Sequence, residues 1–354
     1  MNLGHGGNIA QIARLHGIFE DSIIDFSANI NPLGLCPNVL EAMIQSLDNI
    51  VHYPDITYYD LKRAIANYEN IKEEQIILGN GAAEVIFNVV RALQPKKALL
   101  FAPTFSEYED ALKSMECQIE HYILKEDFKL EDGFIDAIKE GIDVLFICNP
   151  NNPTGVLTPK EFILKVLKKA VQTKTKVVLD ESFLDFVENK EDYCMISDVN
   201  QFKQLIVVKS LTKFFAFPGI RVGYGVLSDQ HLIEQINKIA VPWAINTVAN
   251  FGAQVALTQT EYISKTLTYV KEENEFLYTA LEKFDSLTVY RGAVNFLFFK
   301  CKVSLDLKQE LLKDGILIRS CDNYVGLSAG FYRVAVRTRA ENLALINALE
   351  GILI

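Results

Sequence analysis

Residues 209–224 read Lys209-Ser210-Leu211-Thr212-Lys213-Phe214-Phe215-Ala216-Phe217-Pro218-Gly219-Ile220-Arg221-Val222-Gly223-Tyr224. Lys213 lies among aromatic side chains, and an amine drawn out of water by such neighbours loses part of the stabilisation of its charged form. Its pKa falls, which is what an amine needs in order to attack a carbonyl and form a Schiff base. A solvated surface lysine is the plainer alternative. Ser210, Lys213 and Arg221 together suggest an anion site with a reactive amine beside it, and spacing alone does not choose between the two readings.

On either side of this segment, short apolar runs alternate with stretches of helical period. Strands are predicted at 75–78, 97–101, 119–123, 143–148, 176–179, 204–208 and 221–226, with helices such as 82–93 and 159–171 between them. That alternation is the signature of a parallel sheet covered by helices, so an α/β fold is expected. A helical stretch over 247–284 has few breakers and is long enough to connect a large domain to a smaller one. Beyond it, strands at 287–290, 295–301 and 332–337 and a helix at 305–313 describe a compact α+β lobe. The expected division is 38–265 for a large domain and 1–37 with 266–354 for a small one.

A chain of 354 residues exceeds what one hydrophobic core usually supports, which agrees with two domains. Lys and Arg total 35 against 45 Asp and Glu, and the net charge of -10 argues against non-specific binding to nucleic acid or anionic membranes. An anionic ligand must then be held by a local pocket. The six cysteines are scattered, with no CxxC and no histidine at zinc spacing, so buried thiols in a reducing compartment are expected and no metal site. No run approaches the roughly 18 apolar residues of a membrane helix. The first residues, MNLGHGGNIAQIARLHG, lack a basic flank followed by an apolar run, so a soluble, cytoplasmic protein is expected.

Further motifs fall at the ends of predicted strands, the edge where open α/β sheets bind ligands. Gly79-Asn80-Gly81-Ala82-Ala83-Glu84 follows one strand and opens a helix, a geometry that suits a phosphate or an ordinary tight turn. It is not a dinucleotide fingerprint, because Glu84 stands where a third glycine is required. Asn149-Pro150-Asn151-Asn152-Pro153-Thr154-Gly155 follows another strand and by itself is a turn. Asp180 ends the run Lys176-Val177-Val178-Leu179, where a buried carboxylate needs a cationic partner unless it serves as a helix cap or a structural acceptor.

The ordered set GNGAAE, NPNNPTG, VVLDESF and SLTKFFAFPGIRVGY resembles the fold-type I pyridoxal-phosphate enzymes of the aminotransferase class I/II superfamily, over essentially the whole chain. The resemblance implies a large domain with a mostly parallel seven-stranded sheet plus a smaller α+β domain, and pyridoxal 5'-phosphate as cofactor. HGGN, DFSANINPLG, HYPD, ILIRSCDNY and FYRVAVR are similar to the threonine-phosphate decarboxylase family within that superfamily, whose nearest neighbours are the histidinol-phosphate aminotransferases. Carried over by resemblance, Lys213 is the Schiff-base lysine and moves the proton at the substrate Cα. Asp180 pairs with the ring nitrogen, Asn152 with the phenolic oxygen, and Phe105 stacks on the ring. The cofactor phosphate falls to Gly81, Ala82, Ala83, Ser210 and Arg221, with Tyr53 from a second subunit of a homodimer. Arg333 is the implied α-carboxylate arginine, while His5, Gly6, Gly7, Asn8, Asn31, Arg319 and Arg337 are the implied substrate-phosphate site. Trp243 and His52 are left as packing or cleft-wall residues.

Many aminotransferases carry a tyrosine three residues after the aspartate; here that position is Phe183. The loss of one donor to the phenolic oxygen matches the decarboxylase branch. The expected activity is therefore decarboxylation of L-threonine O-3-phosphate to (R)-1-amino-2-propanol O-2-phosphate in cobalamin biosynthesis, acting on a small phosphorylated amino acid. The alternative is a histidinol-phosphate aminotransferase or a related class I/II aminotransferase. A non-catalytic sensor is a third reading, disfavoured by the intact Lys213, Asp180 and Arg221 set.

Overall fold

The computed structural model describes residues 6–353. In chain order the elements are α1 (Ile9–His16), β1 (Ile24–Asp25), α2 (Pro37–Ser46), α3 (Tyr59–Glu69), β2 (Ile76–Gly79), α4 (Gly81–Leu93), β3 (Lys97–Ala102), α5 (Glu107–Lys113), β4 (Gln118–Ile123) and α6 (Asp132–Ala137). They continue with β5 (Val144–Cys148), α7 (Lys160–Thr173), β6 (Lys176–Asp180), β7 (Leu205–Ser210), β8 (Gly223–Leu227), α8 (Gln230–Ile239), α9 (Thr247–Ala256) and α10 (Thr260–Leu281). The chain ends in β9 (Leu287–Tyr290), β10 (Phe296–Cys301), α11 (Leu307–Lys313), β11 (Ile316–Leu317), β12 (Arg319–Ser320), β13 (Phe331–Ala335) and α12 (Arg339–Leu353).

Seven strands form one sheet in the order β2-β8-β7-β6-β5-β3-β4. The five from β7 to β4 run parallel, and all five residues of β5 are buried, as a strand covered on both faces requires. β8 departs from the parallel expectation: it is antiparallel to both β7 and β2. The reason lies in the link from β7 to β8, which folds as a compact loop around Lys213 instead of a crossover helix, and without a crossover the next strand must run back. Register places Cys148 beside Asp180 and Asp180 beside Val208, so the loops leaving β5, β6 and β7 emerge side by side at one edge.

A second sheet, β12-β13-β10-β9, is antiparallel throughout and packs with α11 and α12 around its own core, which includes Phe299, Leu311, Val334 and Leu345. Phe26 joins that core, and β1 pairs in parallel with β11, so the N-terminal segment packs with the C-terminal one. The helical stretch expected as one element is two helices, α9 and α10, interrupted at Leu257–Gln259. There the Thr258 hydroxyl donates to Val255 O at 2.8 Å, and such local bonds compete with the helical ladder. α10 reaches both cores, with Val270 in the first and Leu277 and Leu281 in the second.

Candidate active site

Asp180 closes β6 with 3% of its surface exposed. Its Oδ2 accepts from the Tyr108 hydroxyl at 2.7 Å, and its Oδ1 accepts from the Ser182 N–H at 2.9 Å. Both partners are neutral, and among the described residues no lysine or arginine pairs with it directly. A carboxylate buried this way calls for a cation delivered from outside the fold.

Lys213 sits in the loop after β7, its Nζ donating to Ser210 Oγ at 3.0 Å and lying 5.7 Å from the centre of the Phe183 ring. Burial pushes its pKa below the usual lysine range; Asp180 opposes that fall and Arg221 adds to it. Beside Arg221, Gly81 opens α4 at φ +82, and a Cβ there would lie 2.3 Å from Arg221 Nη2. Glycine is required because the guanidinium occupies that space. Gly223 has a parallel role, since its Cβ would lie 2.4 Å from the Ala82 nitrogen. The N–H groups of Ala82 and Ala83, in the first turn of α4, have no intrahelical acceptors, and no side chain of the N-cap residue Asn80 serves them. Glu84 turns back to accept from the Asn80 N–H at 2.5 Å. Free helix N–H groups, the Ser210 hydroxyl and Arg221 make a cradle for a phosphate-like dianion.

Asn152, 6% exposed, accepts at Oδ1 from Arg333 Nη1, and Arg333 Nη2 donates to Ser27 O at 2.8 Å. Arg333 Nε is buried without a partner, and among the described residues no carboxylate lies within ion-pair reach of this guanidinium. Burial pulls its pKa down. Its neighbour across the β12–β13 ladder is Arg319, so two buried arginines face the same side at directly opposed positions, and the charge of Arg319 adds to the fall in the Arg333 pKa. Arg319 donates through Nη2 to Asn323 Oδ1 at 2.7 Å and lies over the Tyr324 ring. Phe296 connects the two halves of the site: its ring lies 5.3 Å from the Arg333 guanidinium and 5.2 Å from Phe183, edge to face. Phe105, half-buried, meets Tyr108 edge-on at 5.5 Å.

Ser27, which the sequence reading did not single out, organises the N-terminal part. Its hydroxyl donates to Asp25 Oδ1 at 2.5 Å and accepts from the Gly7 N–H at 2.8 Å. Gly6 packs so closely that a Cβ would sit 2.1 Å from Ser27 O, and Asn8, Ser27, Lys308 and Arg319 line one small cavity. Gly6, Gly7, Asn8, Arg319 and Arg333 are therefore brought together. His5 lies outside the described residues. Two other members of the implied phosphate site are placed differently. Asn31 Nδ2 is used by Phe214 O at 2.7 Å, Thr266 Oγ1 at 2.8 Å and Tyr262 at 2.9 Å, which ties the N-terminal segment to the lysine loop and α10 and leaves no donor for a phosphate. Arg337 pairs with Glu341 at 2.6 Å and donates to Asp25 O at 3.1 Å, while its Nε is buried without a partner, as that of Arg333 is. Tyr53, 79% exposed, packs against Trp243 with the ring centres 4.6 Å apart and the planes tilted by 31°.

Behind the cradle lies a buried charge cluster. Lys209 is fully buried, with Asp185 at 3.1 Å, Glu69 at 3.8 Å and Glu181 at 4.0 Å, while Tyr224 donates to Glu69 and Lys190 pairs with Asp185 at 2.8 Å. Burial pushes the Glu181 carboxyl up to about 7, opposed by Lys209. Asp185 is held down at about 2: burial would raise it, but Lys209 and Lys190 together outweigh that effect.

A buried lysine of lowered pKa, a helix N-terminus beside Arg221 and a buried carboxylate gather at one edge of a mostly parallel sheet, and two buried arginines come from a smaller sheet. The chain belongs to the aminotransferase class I and II family, whose model matches residues 21–349. It is 38% identical to threonine-phosphate decarboxylase of Salmonella typhimurium over 99% of this chain and 97% of that protein. Among solved structures, histidinol-phosphate aminotransferase from Clostridium acetobutylicum superposes with a TM-score of 0.87 at 32% identity, covering 92% of this chain and 98% of that one. L-threonine-O-3-phosphate decarboxylase from Porphyromonas gingivalis superposes with a TM-score of 0.83 at 26% identity, covering 93% and 98%.

Proposed function

We propose that this chain is a pyridoxal-phosphate-dependent decarboxylase that converts L-threonine O-3-phosphate to (R)-1-amino-2-propanol O-2-phosphate and CO2 in cobalamin biosynthesis. The observation that carries the reading is the opposed, buried pair Arg319 and Arg333. One cross-strand step separates the two guanidinium-bearing positions, which suits a short substrate with a carboxylate at one end and a phosphate at the other. Arg333 takes the carboxylate and fills its orphaned Nε; Arg319, with Gly6, Gly7 and Asn8 and with His5 as expected from sequence, takes the phosphate.

The residues present fit pyridoxal 5'-phosphate. Arg221, admitted by the missing side chain at Gly81, would hold its phosphate together with Ser210 and the N–H groups of Ala82 and Ala83. Asp180 would supply the charge for its ring nitrogen, Asn152 the partner for its phenolic oxygen, Phe105 the stacking ring, and Lys213 the amine that forms its Schiff base. When bound, the cofactor supplies an electron-accepting ring conjugated to the substrate nitrogen. Everything else falls to the chain. Arg333 and Arg319 hold both ends of the substrate and fix rotation about the bond from nitrogen to Cα, so that the carboxylate is the group set to leave. Lys213, whose proton is loosened by burial, gives a proton to Cα once CO2 has departed. The Phe183 and Phe296 rings line the space between lysine and arginine and keep water out of it.

The same residues would serve an aminotransferase. The decarboxylase reading is supported by the higher identity to the Salmonella enzyme and by Phe183, which removes a hydroxyl from the phenolic side of the site. The homodimer expected from sequence is supported by Ile44, Ile50, Val51, Tyr53, Ile56 and Tyr59, each more than half exposed along the stretch from α2 to α3. A run of this kind marks an interaction surface. Tyr53 lies on it, exposed, where a second copy docking there could bring its cofactor phosphate within reach. A large domain over 38–265 and a small domain of 1–37 with 266–354 remain our reading of the organisation; the core around Phe299 and Leu345 belongs to the small domain, while Phe296, Phe298 and Phe331 from the second sheet pack into the large core. Six free cysteines fit a reducing, cytoplasmic setting.

Incubation of the purified protein with pyridoxal phosphate and L-threonine O-3-phosphate tests the reading, with CO2 and amine scored against keto acid. Efficient conversion of histidinol phosphate and 2-oxoglutarate with no CO2 from threonine phosphate would replace it with the aminotransferase.

A further inference from the structure

Tyr108 is among the largest fully buried side chains of the protein, yet it carries a hydroxyl, and that hydroxyl has one carboxylate within reach: Asp180 Oδ2, at 2.7 Å. Its ring is fixed on both sides. It stacks on Phe146 of β5 at 4.9 Å and 20°, and it meets Phe105 edge-on at 5.5 Å and 85°. Tyr108 is therefore a single rigid link between the residue that covers the cofactor ring and the residue that faces the ring nitrogen.

We infer that Tyr108 is a positioning residue that fixes the plane of the Asp180 carboxylate so that its charge is aimed at the cofactor ring nitrogen. The inference rests on the reading of the site given above. Two donors hold the carboxylate, Tyr108 on Oδ2 and the Ser182 N–H on Oδ1, so rotation about its last bond is stopped. Both donors are neutral. A lysine or arginine in the place of Tyr108 would orient the carboxylate equally well but would cancel its charge, and the ring nitrogen would then have no anion to pair with. Burial, reinforced by the adjacent Asp180, keeps the phenol protonated far above neutral pH, so it remains a donor throughout the working range. Phenylalanine would keep the packing on Phe146 and Phe105 while releasing Oδ2.

The test compares the wild type with Tyr108→Phe, each loaded with cofactor labelled with nitrogen-15 in the pyridine ring. The nitrogen chemical shift reports protonation of the ring directly, and absorbance across pH 5 to 10 supplies a second readout independent of turnover. Tyr108→Phe is expected to shift the nitrogen signal toward the unprotonated ring and to weaken cofactor binding about tenfold, the effect of one lost hydrogen bond to a charged group. Restoring a para donor with 4-aminophenylalanine at 108 should bring back the wild-type signal, whereas 4-methylphenylalanine should not; this pair serves also if Tyr108→Phe fails to fold. A labelled wild type with a protonated ring and a Tyr108→Phe protein with the same shift and the same pH profile overturn the role of Tyr108 alone. Failure of the wild type to take up cofactor at all overturns the site reading, and the inference with it.

Discussion

Replacing Gly81 by alanine separates the stability of the fold from the occupancy of the phosphate cradle. At φ +82 an L-residue costs about 1–2 kcal/mol, and an added Cβ would lie 2.3 Å from Arg221 Nη2, 2.8 Å from its Cζ and 3.3 Å from its Nε. The guanidinium must retreat by about 1 Å to restore ordinary contact. Because it ends a flexible side chain, the retreat adds little to the folding cost, so the melting temperature of the apoprotein should fall by only a few degrees. The cradle suffers more. A displaced guanidinium forfeits a charge-assisted bond to phosphate of about 1.5–3 kcal/mol, which corresponds to a loss of roughly 10–100-fold in cofactor affinity. Titration of the apoprotein with pyridoxal phosphate, followed by absorbance, measures this, and kcat at saturating cofactor should stay within a few-fold of wild type. A Gly81→Ala protein whose melting temperature drops while its affinity stays within twofold would refute the placement of Arg221 on the phosphate.

Lys213→Ala should abolish turnover, and borohydride trapping of the wild type followed by peptide mapping should place the cofactor on Lys213; label on any other lysine contradicts the assignment. Arg333→Lys removes a planar fork while keeping charge, and kcat/KM for threonine phosphate should fall at least about a hundredfold, or ~3 kcal/mol at the transition state, with an unchanged activity counting against Arg333 as the carboxylate anchor. The Glu181 carboxyl is raised in the fold from 4.5 to about 7, so its favourable contribution is complete below pH 4.5 and is lost as pH rises toward 7. Glu181→Gln should therefore gain stability relative to wild type across that window and level off above it, and parallel melting curves from pH 4.5 to 7 would exclude the effect. Sedimentation at assay concentration should show a dimer, and Tyr53→Ala should weaken cofactor binding without altering apoprotein stability; a fully active monomer speaks against the contribution of Tyr53 in trans.

That the candidate residues gather at one sheet edge was legible in the sequence because each is local to a strand end. Gly81, Asn152, Asp180 and Lys213 each follow an apolar strand run, and strand ends of a parallel sheet converge by geometry. The direction of β8 was not legible, because it depends on how the lysine loop folds and not on any pattern within the strand. Ser27 and Tyr108 escaped notice for a related reason: a serine in a loop and a tyrosine in a short helix acquire meaning only through partners more than seventy residues away in the second case and twenty in the first. Asn31 has the right chemistry for an anion, but Tyr262 and Thr266, over two hundred residues on, take up its amide. Arg337 pairs with Glu341 from just outside α12, where the turn into the helix brings the two together, a contact that depends on where that helix begins.

The buried cluster around Lys209 sets a rule for recombining this chain with its relatives. Its members come from α3, from the loops after β6, and from β7 and β8, so they are scattered from position 69 to position 224 while sharing one dry volume. A crossover anywhere between 69 and 209 separates Glu69 from Lys209, and a parent that compensates its charges differently would leave a carboxylate or an ammonium unpaired in the interior, at a cost of several kcal/mol. Functional chimeras should accordingly inherit Glu69, Glu181, Asp185, Lys209 and Tyr224 from a single parent. The segments at either end of the chain, bound by β1 and β11, should likewise travel as a pair.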